Sequence, residues 1–151
     1  MSKHWAATGQ PLPTWNAGAT MTDIPHIPTS WGEVIDKITI LEIKVARLPT
    51  ETARGNAAKE LKMLRDIANP VLEGAEIAGL VARLKTLNET LWEIEDRIRA
   101  HERAANFDAE FIALARAVYH RNDERGAVKR ELNLALGSIL IEEKSYQPYE
   151  R

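Results

Sequence analysis

Eight polar side chains fall on helix faces where apolar residues are expected, and their chemical types suit the binding of an anion. They are Glu42, Asn88, Glu95, Arg99, Glu102, Arg121, Arg125 and Lys129. When residues are placed at ~100° intervals, each lies within or at the edge of the apolar arc of its helix. Guanidinium and ammonium groups clamp carboxylates or phosphates, and a glutamate orients an arginine or acts as a general base. The pattern predicts a charge cluster inside a helical protein.

This cluster has several interpretations, because buried charges must pair, bind a ligand or reach water. Seven of the eight residues are charged, three acids and four bases, so a convergent cluster keeps one spare positive charge. The leading hypothesis is a binding module for a small anionic ligand or for a charged segment of a partner. One alternative is a cofactor-free enzyme acting on an anionic small molecule, in the style of all-helical chorismate mutases, with Glu42 or Glu95 as base or orienter.

Two further alternatives are purely structural. In the first, the charged residues form a salt-bridge network that holds the helices in register, with long arginine stems packed along the bundle. In the second, the protein is a homodimer, and tryptophan side chains form part of its interface. The tryptophans in question are Trp5, Trp15, Trp31 and Trp92.

The elements that position these residues are four helices. Apolar residues recur at steps of three and four, which predicts helices over about 30–48, 51–68, 75–103 and 108–136. Gly137 follows the last helix, where a left-handed residue belongs. Short connections make this an elongated antiparallel all-α bundle. Residues 1–29, with four prolines, form an extended arm, residues 30–137 the bundle, and residues 138–151 a short tail.

Composition limits the class of protein. A length of 151 residues fits one domain, and 20 Lys+Arg against 22 Asp+Glu argue against a nucleic-acid partner. The absence of cysteine excludes disulfides and thiolate metal sites and agrees with a reducing compartment. With no long apolar run and no apolar leader, we expect a cytoplasmic protein without membrane contact or cofactor.

Two carboxylate pairs have the spacing of metal ligands. They are Glu33 with Asp36, and Glu93 with Asp96. Their helical phases lie outside the apolar arcs, so we expect them to be solvated and expect no metal site. Glu33 also completes a capping box with Ser30, in which its side chain returns to the start of the helix.

Several long motifs occur together in this chain. They are GEVIDKITILEIK at 32–44, LWEIEDRIR at 91–99, Phe107-Asp108 with Phe111-Ile112, Asn122-Asp123, and EEKSY at 142–146. With these motifs, residues 24–149 resemble a family of small bacterial proteins that is a domain of unknown function. The resemblance implies a bacterial helical domain, and it implies no activity, cofactor or catalytic residue.

Overall fold

A computed structural model describes residues 24–145, and these residues form four α-helices. They are α1 (Trp31–Arg47), α2 (Glu51–Ala68), α3 (Ala75–Arg103) and α4 (Ala109–Ala135), and a short 3₁₀ turn (Asn69–Val71) follows α2. The described part contains no strand. The predicted four-helix, all-α bundle is therefore confirmed, and α4 continues without a break past Asn122 and Gly126.

Side-chain caps and one glycine set the ends of the helices. The side chains of Ser30, Thr50 and Asp108 each accept a backbone N–H three residues further on, at the starts of α1, α2 and α4. Gly137 adopts a φ of 61° after α4. The N–H that follows it donates to the Asn133 carbonyl at 2.8 Å, which closes a Schellman motif.

The central helix is α1, which packs against each of the other three. Helices α3 and α4 form an antiparallel hairpin across residues 104–108, and α2 packs against α1. Two apolar clusters result. One joins α1, α3 and α4 through Ile35, Ile77, Leu80, Leu84, Val128 and Leu132, and the other joins α1 and α2 through Ile38, Leu41, Ala57, Leu61 and Ala68. These clusters leave little of α1 facing solvent.

Besides its apolar stripe, α1 buries a second face. Gly32, Asp36, Thr39 and Ile43 recur at steps of four, three and four residues, and all are buried. At Gly32 the backbone of α4 approaches closely, since a Cβ on this residue would lie 2.7 Å from the carbonyl oxygen of Lys129. This polar face brings α1 against the functional candidates of α3 and α4.

The segments that flank the bundle have no regular secondary structure where they are described, at residues 24–30 and 138–145. After Gly137 the chain returns along α4, where Glu143 pairs with Arg130 at 3.1 Å. The predicted roles of Trp5 and Trp15 in the arm lie outside the described residues. Within residues 24–145, no helix is long and apolar enough to cross a bilayer.

Candidate functional site

A row of polar contacts, termed here the α1–α4 ladder, joins the buried polar face of α1 to α4. The Gly32 N–H donates to Asn133 Oδ1 at 2.6 Å, Glu33 pairs with Lys129, and Asp36 pairs with Arg125. The α4 members of the ladder are four residues apart, so they share one face of that helix. As residue numbers rise along α4, those of the partners on α1 fall, so the two helices are antiparallel.

Arg125 is held by the buried carboxylate of Asp36. Its Nε and terminal nitrogen donate to the two carboxylate oxygens at 2.9 and 2.5 Å, and its other terminal nitrogen donates to Asn122 Oδ1 at 3.2 Å. These bonds to Asp36 outweigh the effect of burial and raise the pKa of the Arg125 guanidinium. Three of its five N–H donors are used within the described residues, so two remain for a ligand or water.

Asp36 is the anchor of this arrangement, which contradicts the prediction that it is solvated. Its side chain is only 4% exposed. Asn88 Nδ2 donates to Asp36 Oδ1 at 2.8 Å and to Thr39 Oγ1 at 2.9 Å, so one oxygen of Asp36 accepts from both α3 and α4. The phase argument failed because it assumed one buried face, whereas α1 is enclosed by three helices.

Lys129 occupies the next rung and is buried, with its side chain 8% exposed. Its ammonium group contacts the carboxylates of Glu33 on α1 and Glu142 in the tail, the latter at 3.0 Å. Burial opposes its charged form, but these two bonds prevail and raise the pKa of Lys129. The predicted capping box is half correct, because Ser30 caps α1 while the Glu33 side chain turns to Lys129 instead.

A groove of about 430 Å³, termed here the α3 groove, opens beside the Asp36–Arg125 pair. It is lined by Asn88, Leu91, Trp92, Glu95, Asp96 and Arg99 of α3, by Asn122 and Arg125 of α4, and by Ile40 of α1. The α3 residues recur at steps of three and four, so they form one face of the helix. Four of the eight predicted residues are brought together here: Asn88, Glu95, Arg99 and Arg125.

The other four predicted residues do not line the groove, and several of the eight are not in the interior. Glu95, Arg99 and Glu102 are exposed, so their predicted interior positions are wrong. Arg121 is also wrongly placed, since it is 44% exposed and pairs with Glu124 of its own helix at 2.7 Å. Helices α3 and α4, with 29 and 27 residues, are longer than α1 and α2, with 17 and 18, so only part of each long helix is enclosed by the shorter ones.

Glu42 belongs to a different cluster, on the side of α1 away from the groove lining. Its carboxylate forms ion pairs with Arg65 of α2 at 2.6 Å and with Lys85 of α3 at 2.9 Å. Partial burial raises the pKa of Glu42, but the bonds from Lys85 and Arg65 outweigh it, and the net shift is downward. Glu42 therefore ties three helices together and does not reach the α3 groove.

Acid is expected to weaken this cluster. The pKa of Glu42 is lower in the folded protein than in the unfolded chain, where it is near 4.5. The contribution of Glu42 to the free energy of unfolding is therefore complete above the unfolded pKa and is lost as the pH falls through the folded pKa. Glu42→Gln should lower the free energy of unfolding by about 1 kcal/mol at pH 7, and by much less at pH 3. Urea titrations at both pH values measure this difference.

The matched control is Glu93→Gln. Glu93 pairs with Arg47 at 3.2 Å but its side chain is 64% exposed, so the loss at pH 7 should stay below about 0.5 kcal/mol. An equal loss in both variants at pH 7 would contradict the assigned role of Glu42.

Four residues that matter to the site were not among the predicted set: Asp36, Trp92, Asp96 and Asn122. Trp92 was predicted only as part of a dimer interface, and in the structure it is half-buried and lines the α3 groove. The sequence does carry a signal for Asp36. It lies four residues after Gly32 and three before Thr39, and a line of small and polar residues along one helix favours close approach of another backbone.

The second carboxylate pair behaves as expected. Glu93 and Asp96 are both exposed. Among residues 24–145, no group of three or more His, Asp or Glu side chains is arranged to hold a metal ion.

The fold and site define an all-α bundle protein with a buried ion-pair ladder beside a mixed polar and apolar groove. The chain matches the family of unknown function DUF6165 over residues 26–149, and it belongs to that family. No curated protein and no solved structure matches it.

Proposed function

We propose that the protein is a small-molecule binding module that captures an anionic group in the α3 groove. The observation that supports this is Arg125, which buried Asp36 fixes in place while two of its N–H donors stay unused by the described residues. A guanidinium held in this way loses little conformational entropy when it binds a carboxylate or phosphate. Arg99 supplies a second guanidinium on the same groove.

The floor of the groove supports an organic ligand rather than an inorganic ion. Ile40, Leu91 and Trp92 provide apolar surface between the polar residues. Small-molecule sites commonly combine apolar walls with a few fixed polar groups. The ligand is therefore an organic acid with an apolar body, and the protein itself needs no cofactor for this role.

Arg125→Lys provides the test, because lysine keeps a cation beside Asp36 but lacks the planar set of guanidinium donors. Isothermal titration with 3-phenylpropionate and phenyl phosphate should give saturable binding that weakens about tenfold in Arg125→Lys, which corresponds to one lost charge-assisted bond. Arg97→Gln is the matched control, since Arg97 pairs with Glu110 outside the groove. Binding that is absent in the wild type, or equal in all three proteins, would overturn the proposal.

The other interpretations stay predictions. For an enzyme, Glu95 is the predicted base that lines the groove, and its ion-pair partner within the described residues is Arg99 at 3.6 Å. For a homodimer, Trp31 packs against the α1–α2 cluster and Trp92 lines the groove. A bacterial origin and a cytoplasmic location are likewise our expectations, from the family resemblance and the absence of cysteine.

A further inference from the structure

The α3 groove carries charges of both signs, in a fixed order along the helix. Asn88 and Arg125 share the acceptor Asp36 Oδ1, so the guanidinium lies beside Asn88. One turn further along α3 the lining is apolar, at Leu91 and Trp92, and the next turn brings Glu95 and Asp96. The order from Asn88 onward is cation, apolar surface and acid, and Arg99 follows one turn beyond the acids. At ~1.5 Å per residue, the cationic and acidic ends are about two turns apart.

The carboxylates of the acidic end retain acceptor capacity. Glu95 meets Arg99 at 3.6 Å, which is longer than a hydrogen bond. Asp96 forms no ion pair or side-chain hydrogen bond with residues 24–145. Both side chains are exposed, so a ligand can reach them.

A ligand with only negative charge uses only part of this groove. Arg125 is already balanced by Asp36, and the formal charges of Asp36, Glu95, Asp96, Arg99 and Arg125 sum to −1. A carboxylate bound at Arg125 leaves Glu95 and Asp96 without a partner, and like charges repel it from their end. A cationic group on the same molecule removes this conflict.

We infer that the ligand of the α3 groove is a zwitterion, with an anionic group at Arg125, an apolar spacer on Trp92 and Leu91, and an ammonium group at Glu95 and Asp96. This inference rests on the proposed function and specifies its ligand class. The spacing favours a molecule whose charges are separated by about two helical turns, ~11 Å. Arg99, one turn beyond Glu95, then lies on the side of this acidic pair that is away from the apolar spacer.

Three probes of equal chain length test the inference: 8-aminooctanoate, octanoate and octylamine. Isothermal titration of the full chain should show 8-aminooctanoate binding about tenfold more tightly than either single-charge probe, since a second ion pair is formed. The double variant Glu95→Gln/Asp96→Asn should abolish this advantage and leave octanoate binding unchanged or tighter. Glu93→Gln, outside the groove, is the matched control and should keep the wild-type order.

Each other outcome has a definite meaning. If octanoate binds as tightly as 8-aminooctanoate, the zwitterion is excluded while the proposed anion site stands. If octylamine binds as tightly as 8-aminooctanoate, the groove is a cation site and both proposals fail. Both also fail if none of the three probes gives saturable binding. Retention of the tenfold preference in the double variant would exclude Glu95 and Asp96 as the ammonium partners.

Discussion

Arg125→Met is expected to destabilise the protein by about 3 kcal/mol, because it leaves the Asp36 carboxylate buried and without its ionic partner. The Asp36 side chain is only 4% exposed, so water compensates poorly for the lost guanidinium. Asn88 still donates one hydrogen bond to this carboxylate, but a neutral amide does not balance its charge. Urea denaturation followed by circular dichroism measures the loss.

Two matched variants show whether the loss comes from the orphaned charge. Arg121→Met removes an arginine one turn earlier in the same helix, where the pair with Glu124 is half exposed, and should cost less than about 1 kcal/mol. The double variant Asp36→Leu/Arg125→Met removes both charges and should recover most of the stability. Equal losses in Arg125→Met and Arg121→Met would show that the buried pair has no special role.

Gly32→Ala is expected to destabilise the protein by about 2 kcal/mol, through a clash that the backbone cannot relieve. The new Cβ would lie 2.7 Å from the Lys129 carbonyl oxygen and 2.9 Å from Asn133 Oδ1. Relief requires α1 to move away from α4, which stretches the bond from the Gly32 N–H to Asn133. Thermal unfolding and urea titration both report the change.

Gly79→Ala is the matched control, and its expected effect has the opposite sign. Gly79 is inside α3, and a Cβ there meets no atom within 4 Å. Alanine at this position should stabilise the protein by about 0.5–1 kcal/mol, because glycine is a poor helix former. If Gly32→Ala were also stabilising, the close approach of α1 and α4 would be refuted.

The helices could be predicted from sequence because their signals are local. Ser30, Asp108 and Gly137 mark helix ends by their own hydrogen bonding or backbone conformation, and each does so in the structure. Apolar periodicity also identified the residues of both apolar clusters, since burial of one stripe per helix is sufficient for their packing.

The site was predicted only in part because its geometry depends on the partners of each helix. A helix that packs on one side has one buried face, but α1 is enclosed on three sides and buries Asp36 as well as Ile35 and Leu41. Sequence phase likewise cannot tell that Glu95 and Arg99 on α3 are exposed. Which acid pairs with which base is fixed by the tertiary arrangement, and Glu42 with Arg65 and Lys85 could not be assigned from spacing.

The α1–α4 ladder also has a consequence for how the chain folds as it is synthesised. Asp36 and Arg125 are 89 residues apart, so α1 leaves the ribosome long before its ionic partner has been made. The apolar cluster between α1 and α2 can form early, from neighbouring helices. We expect the Asp36 carboxylate to stay hydrated until then, which would keep the unpaired face of α1 polar and resistant to premature association. The contacts of the ladder then form last, once α4 has been synthesised and packs onto the other helices.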